Sequence, residues 1–313
     1  MKKICVLGLL IIATKPAISG VNVVYGNDDR KDIFETSNAT HLKLAKSTAG
    51  MIHKAMFTKG RADGSFDLKN TQTLERAENI CTSERFIDQP LAPTCSGFLV
   101  GPDTLITAGH CYKSFHTPEK VCNDFAWVFE YDKKSASSDP TKNLTINNIY
   151  NCKSVSFAQL DDQYDFSIIK LDRKVVGREP LKYRMSGKIG NNDPLVVIGH
   201  PSGLPTKISA GGKVNYNNEP TRFSTNLDTF HGNSGSAVFN STTGQVEGIL
   251  IMGKNDYRPS ISSNPNSCKV VNKCTDAGQN CTAGPEAGPI QYGEVVLRIE
   301  KIASLISKAL AIK

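Results

Sequence analysis

The chain has 313 residues, of which 39% are hydrophobic, 21% charged and 7% aromatic. These values exclude a disordered or collagen-like polymer and leave room for one large domain or two smaller ones with ample core. The formal net charge is +7, but Lys2, Lys3 and Lys15 belong to a leader-like start, and without them 34 basic residues face 30 acidic ones. So small an excess argues against a nucleic-acid or membrane-surface partner, and no apolar run reaches the roughly 18 residues a spanning helix needs, which excludes an integral membrane protein.

Met1-Lys2-Lys3 is basic, Ile4 to Ala13 is an apolar run of ten, and Thr14 to Gly20 is polar with small residues. This is the three-part pattern of a secretory signal peptide, with cleavage expected after Ser19; a short buried helix is the competing reading. Residues 20–40 form a polar N-terminal arm, in which residues 20–22 are read as a very short propeptide. Residues 41–58 are periodic but ambiguous between helix and strand. Residues 59–93 read as loop, broken by Gly60, Gly64, Pro90 and Pro93. From Thr94 onward short β-type runs dominate: Gly97–Val100, Leu105–Thr107, Phe125–Tyr131, Phe166–Leu171, Leu195–Ile198, Ser236–Phe239 and Val246–Met252. Many short strands separated by turn residues favour an all-β sandwich or barrel. Residues 255–289 look like a long loop held by disulfides. Val295, Val296, Ile299, Ile302, Leu305, Ile306 and Leu310 recur at helical spacing and predict an amphipathic C-terminal helix.

Loss of the leader removes Cys5 and leaves eight cysteines, at 81, 95, 111, 122, 152, 268, 274 and 281. An even count in an exported chain predicts a disulfide framework and an extracellular or periplasmic location. No CxxC pair occurs, and Cys268, Cys274 and Cys281 are spaced too loosely for a zinc knuckle, so neither metal nor cofactor is expected.

Three segments carry chemistry. Leu105-Ile106-Thr107-Ala108-Gly109-His110-Cys111 runs an apolar strand into two small residues and a histidine. Asp165-Phe166-Ser167-Ile168-Ile169-Lys170-Leu171 places a carboxylate at the mouth of an apolar strand. Gly232-Asn233-Ser234-Gly235-Ser236-Ala237-Val238 sets a serine in a glycine-flanked turn. A serine hydroxyl is a poor nucleophile until a base takes its proton, and histidine is the side chain whose unperturbed pKa suits that task. A carboxylate on the far ring nitrogen fixes the tautomer, and glycines let backbone N–H groups converge on an oxyanion. Each residue alone is weak evidence; the order His, Asp, Ser at separations of 55 and 69 residues is much stronger.

On these segments the chain resembles the chymotrypsin/trypsin-type serine endopeptidases over roughly residues 80–311, the Thr-Ala-Gly-His-Cys box being among that family's most specific signatures. Gly-Asn-Ser-Gly-Ser and the stretch Val23–Arg30 are similar to the bacterial glutamyl endopeptidase-like branch. The resemblance implies two antiparallel six-stranded β-barrels, the first over about 41–180 and the second over about 181–298, followed by a helix over about 299–311. It implies His110, Asp165 and Ser234 as catalytic residues and the N–H groups of Gly232 and Ser234 as the oxyanion hole. Cys95 and Cys111 match the family's histidine-loop disulfide, whose closure is worth roughly 3 kcal/mol. Cys122 and Cys152 flank one strand and make a plausible second pair. The remaining four cysteines permit three pairings.

In such enzymes the substrate pocket is built from residues before the nucleophile and from a later strand, here Asp228, Thr229 and His231, then Leu250, Ile251, Met252 and Gly253. Asp228 stands six before Ser234, where the trypsins receive Arg or Lys, so a cationic substrate side chain is favoured there. The competing reading pairs Asp228 with a processed α-amine or a nearby basic residue. The glutamyl enzymes use a Thr, matched by Thr229, and a His that Leu250 replaces. Glu294 lies near the pocket-lining return strand, and His200 reads as structural. Residue 233 is asparagine, so the trypsin-type activation ion pair is absent. The expectation is a secreted, monomeric serine endopeptidase acting on protein or peptide substrates, after Arg or Lys. The alternatives are a non-catalytic binding protein on a protease scaffold and a glutamyl-specific endopeptidase.

Overall fold

A computed structural model of the chain describes residues 23–113, 117–282 and 292–312. The leader, its cleavage point and Cys5 lie outside the described residues. Six strands close the first barrel: β1 (Thr48–His53), β2 (Cys95–Gly101), β3 (Thr104–Thr107), β4 (Phe125–Phe129), β5 (Ile149–Leu160) and β6 (Asp165–Leu171), in the order β5-β6-β3-β2-β1-β4. Six more form the second: β7 (Pro194–Gly199), β8 (Lys207–Tyr216), β9 (Arg222–Thr225), β10 (Ala237–Asn240), β11 (Val246–Met252) and β12 (Glu294–Arg298). Their order is β7-β10-β11-β12-β9-β8, and β7 pairs with β8 to close the ring. The neighbouring strands of both barrels are antiparallel.

Side chains alternate across these strands, and both faces find cover. Leu99, Leu105, Trp127 and Ile169 fill the first barrel. Leu195, Val197, Val238 and Leu250 fill the second. The opposite faces, with Phe98, Ile106 and Ile168 from one barrel and Val196, Ile198, Ala237 and Ile249 from the other, meet in one shared core. β2 and β6 are therefore buried at every position, which is why their apolar residues, Phe98 to Val100 and Ile168 to Ile169, do not alternate with polar ones.

The ambiguous stretch 41–58 divides between a helix at Ala39–Ala45, β1 and a short 3-10 turn at Lys54–Met56. The C-terminal end differs from its sequence pattern. Val295, Val296 and Leu297 belong to β12, Ile299 opens a 3-10 turn, and the helix proper is Ala303–Ala311. A strand buried on both faces mimics the spacing of a helix face. Ile299, Ile302, Ile306 and Ala309, with Leu305 packed against them, form the stripe that caps the shared core. No helix among the described residues is long and apolar enough to cross a membrane.

The N-terminal arm is built into the second barrel. Arg30–Asp32 adds a strand to β8, and Val24–Tyr25 pairs in parallel with Lys273–Cys274. Lys207 from β8 donates its buried Nζ to Asp32 Oδ1 at 2.5 Å and to Gln89 Oε1 at 2.6 Å. Arg30 lies buried over the Phe230 ring and pairs with Asp28. Four disulfides brace the chain: Cys81–Cys268, Cys95–Cys111, Cys122–Cys152 and Cys274–Cys281. The first and last fasten the 255–282 excursion, which carries short strands at Tyr257–Pro259 and Lys269–Val271.

Candidate active site

β3 and β6 pair antiparallel with Ser167 opposite Thr107. The turn that follows β3 therefore lies beside the residue that begins β6. His110 is on that turn and Asp165 is that residue. Asp165 Oδ1 accepts the backbone N–H of His110 at 2.9 Å, and Oδ2 lies 2.8 Å from the ring Nδ1. A carboxylate in that place takes the Nδ1–H, so the lone pair sits on Nε2, the nitrogen a general base uses. Gly109 permits the close approach: a Cβ there would sit 2.8 Å from the Phe166 nitrogen. The Cys95–Cys111 disulfide ties the turn to β2. The sulfurs and a ring nitrogen of His110 lie within 4.8 Å of one another, but sulfurs bonded to each other offer no thiolate to a metal.

The Ser234 turn packs directly on this one. Ser96 at the start of β2 donates its N–H to the Ser234 carbonyl at 2.8 Å, and Cys111 Sγ lies 3.9 Å from the same oxygen. Gly235 has φ +87°, and a Cβ there would stand 2.8 Å from the Ala108 nitrogen. Ser234 is thus brought to the His110 turn by backbone contacts, while its hydroxyl makes no hydrogen bond among the described residues. Such contacts often tighten only when substrate is bound.

The turn's amides divide into two sets. Those of Asn233, Gly235 and Ser236 donate to the carbonyls of Phe230, Leu250 and Asn233 at 2.9, 2.8 and 2.8 Å. That of His231 donates to Asp256 Oδ2 at 3.1 Å. The amides of Gly232 and Ser234 have no acceptor among the described residues. Two unclaimed N–H groups flanking a serine are what a developing oxyanion requires.

The residues expected to line a substrate pocket have other partners. Asp228 is 3% exposed. Its two oxygens accept the backbone N–H groups of Tyr25 and Asp29, each at 2.7 Å. Burial pushes its pKa up to about 7, against the pull of those two amides. Asp228 therefore anchors the N-terminal arm instead of presenting a carboxylate to a cationic substrate. Thr229 donates its hydroxyl to the fully buried Glu294, which also accepts from Tyr25 Oη at 2.9 Å and from the Lys254 amide at 3.3 Å. Leu250 and Ile251 are buried in β11, Met252 is half-buried and Gly253 is buried.

His231 is half-buried, with 42% of its side chain open. Its Nδ1 lies 2.5 Å from Asp256 Oδ2, and Nε2 lies 3.5 Å from Glu78 Oε1. Burial opposes protonation there, but the two carboxylates hold the imidazole above its usual range. His200 is fully buried, with Nδ1 3.0 Å from the Leu204 carbonyl and its pKa pushed down to about 4 by burial. Asp256 and Ser96 support this region without having been legible in the sequence. No short motif marks them, because each acts on a residue far away along the chain.

A family model described as a trypsin-like peptidase domain matches residues 95–249. Among solved structures, the fold is similar to a Glu endopeptidase determined in complex with MPD, with TM-score 0.51 and 17% identity, covering 92% of this chain and all of that one. It is also similar to the VesB protease of Vibrio cholerae, with TM-score 0.51 and 11% identity, covering 92% of this chain and 68% of that one. No curated protein sequence matches the chain.

Proposed function

We propose that the chain is a serine endopeptidase of the trypsin-like kind, as the family match over residues 95–249 supports, and that it hydrolyses peptide bonds through an acyl-enzyme on Ser234. His110 Nε2 takes the hydroxyl proton as Ser234 attacks the scissile carbonyl, then gives it to the departing amine. Asp165 keeps the ring in the tautomer that allows this and stabilises the imidazolium that forms. The amides of Gly232 and Ser234 hold the oxyanion of each tetrahedral intermediate. Water then attacks the ester with His110 again as base, releasing the acid and restoring the hydroxyl.

The observation that carries this reading is the pair of hydrogen bonds between His110 and Asp165 beside a serine turn whose Gly232 and Ser234 amides have no acceptor among the described residues. A non-catalytic binder on the same scaffold has no need of that arrangement. Cleavage after Arg or Lys is not supported, because Asp228 is committed to the arm. Four disulfides suit an extracellular or periplasmic protein, and export through the leader is part of the same proposal. Ser234→Ala is expected to lower turnover of a cleaved peptide by roughly six orders of magnitude. Near-normal hydrolysis by the folded variant would overturn the assignment.

A further inference from the structure

A trans peptide group points its C=O and N–H in opposite directions. Whatever holds a carbonyl therefore aims the amide of the same plane. Three successive planes of the serine turn are held in this way. The His231 carbonyl accepts the Ser202 N–H at 2.5 Å, which turns the Gly232 N–H the other way. The Asn233 carbonyl accepts the Ser236 N–H at 2.8 Å, which does the same for the Ser234 N–H. The plane between them is gripped at both ends: the Asn233 N–H donates to the Phe230 carbonyl, and the Gly232 carbonyl accepts the Ser96 hydroxyl at 2.7 Å.

The Ser96 hydroxyl has a second bond. It accepts the His200 N–H at 3.0 Å. That bond fixes the start of the Pro201–Gly203 turn, which supplies the Ser202 amide. Ser202 sits in the left-handed region at φ 54°, and its own hydroxyl lies 2.6 Å from Tyr257 Oη. Gly232 is pressed onto this turn, where a Cβ would meet the His200 carbonyl at 2.5 Å. Ser96 is fully buried, and its single hydroxyl joins the oxyanion turn to the loop behind it.

We propose that Ser96 is a positioning residue for the oxyanion hole, its hydroxyl holding the 232–233 peptide directly and the 231–232 peptide through the His200–Ser202 turn. This rests on the reading of Ser234 as nucleophile. Removal of the hydroxyl leaves the buried Gly232 carbonyl and His200 amide without a partner among the described residues. The turn then relaxes by rotating these planes, and at least one oxyanion donor leaves its line of aim. Because the oxyanion exists only in the transition state and intermediates, the loss falls on kcat and not on KM.

The experiment begins with wild-type protein and Ser234→Ala on one cleaved peptide. Turnover by the first and silence of the second establish the nucleophile separately from this proposal. Ser96→Ala is then compared with wild type in kcat, in KM and in affinity for a peptide boronic acid built on the sequence before the cleaved bond. Rates are taken per folded molecule, counted by the fluorescence of Trp127, the chain's single, buried tryptophan. Expected are a kcat lower by about 10- to 100-fold, a KM within about threefold, and a boronate affinity falling in step with kcat. A kcat within twofold of wild type, or a lowered kcat with unchanged boronate affinity, would overturn the proposal. Should Ser96→Ala fail to fold, Ser96→Cys keeps the volume with a weaker donor and is expected to lower both quantities several-fold; wild-type values in that variant would equally refute it.

Discussion

Replacing Asp165 by asparagine tests the base with little change of shape. Its two oxygens have unlike duties: Oδ1 accepts the His110 backbone N–H at 2.9 Å and Oδ2 faces the ring Nδ1 at 2.8 Å. In the variant the amide oxygen must stay on the backbone N–H, because the reverse orientation sets two donors against each other. The NH2 group then faces Nδ1 and donates to it. The ring proton is driven to Nε2, the position that has to be empty to receive the Ser234 proton. Both hydrogen bonds survive in number, so the fold should lose only about 1 kcal/mol. Turnover should fall by about 10⁴, equivalent to roughly 5 kcal/mol of transition-state stabilisation. The assay is kcat on a cleaved peptide near pH 7.5, beside a urea unfolding curve. A folded Asp165→Asn protein within tenfold of wild-type kcat would show that this carboxylate does not govern the tautomer.

Other consequences concern the frame around the site. Lys207→Met strips Asp32 of its buried cation and is expected to cost about 3–5 kcal/mol in urea unfolding; Asp32→Leu on top of it should restore much of the loss, and a single-variant cost below 1 kcal/mol would contradict the pairing. Asp228 in the folded chain keeps its proton up to about pH 7, whereas the unfolded chain releases it near pH 3.8. Its contribution therefore weakens as pH rises between those values and is level above them. The stability of wild type relative to Asp228→Asn should accordingly decline, by on the order of 4 kcal/mol, between pH 4 and pH 7; a difference independent of pH would refute this. Alanine at both Cys95 and Cys111, which close a 16-residue separation, should lower stability by about 3 kcal/mol, measured as a shift in urea midpoint.

The candidate site was legible because its segments are local. An apolar strand ending in Ala108-Gly109-His110 and a serine between glycines announce themselves over seven residues each, and the structure places both turns at the same end of the shared core. Strands buried on both faces were legible too, since β2, β6 and β11 each carry a short apolar cluster, Phe98–Val100, Ile168–Ile169 and Ile249–Met252. β5 was not. It is half-exposed for most of its twelve residues and slips register at Cys152 and again at Val155, so no alternation survives. By spacing alone β12 reads as the first turn of the C-terminal helix, because burial on both faces erases the period of two; the family resemblance, which ended the barrel near 298, placed that boundary better. Asp228 was located by counting, but its partners come from about 200 residues away, and nothing local tells a carboxylate waiting for substrate from one already occupied. The Cys81–Cys268 bridge, 187 residues apart, was hidden for the same reason.

The central claim is that Ser234 is made nucleophilic by His110 and Asp165. The most direct measurement is to treat the folded protein with a fluorophosphonate and map the modified residue by mass spectrometry. One label per molecule, located on Ser234 and lost in His110→Ala, is the predicted result. Absence of label, or a label on any other residue while Ser234 stays free, would contradict it.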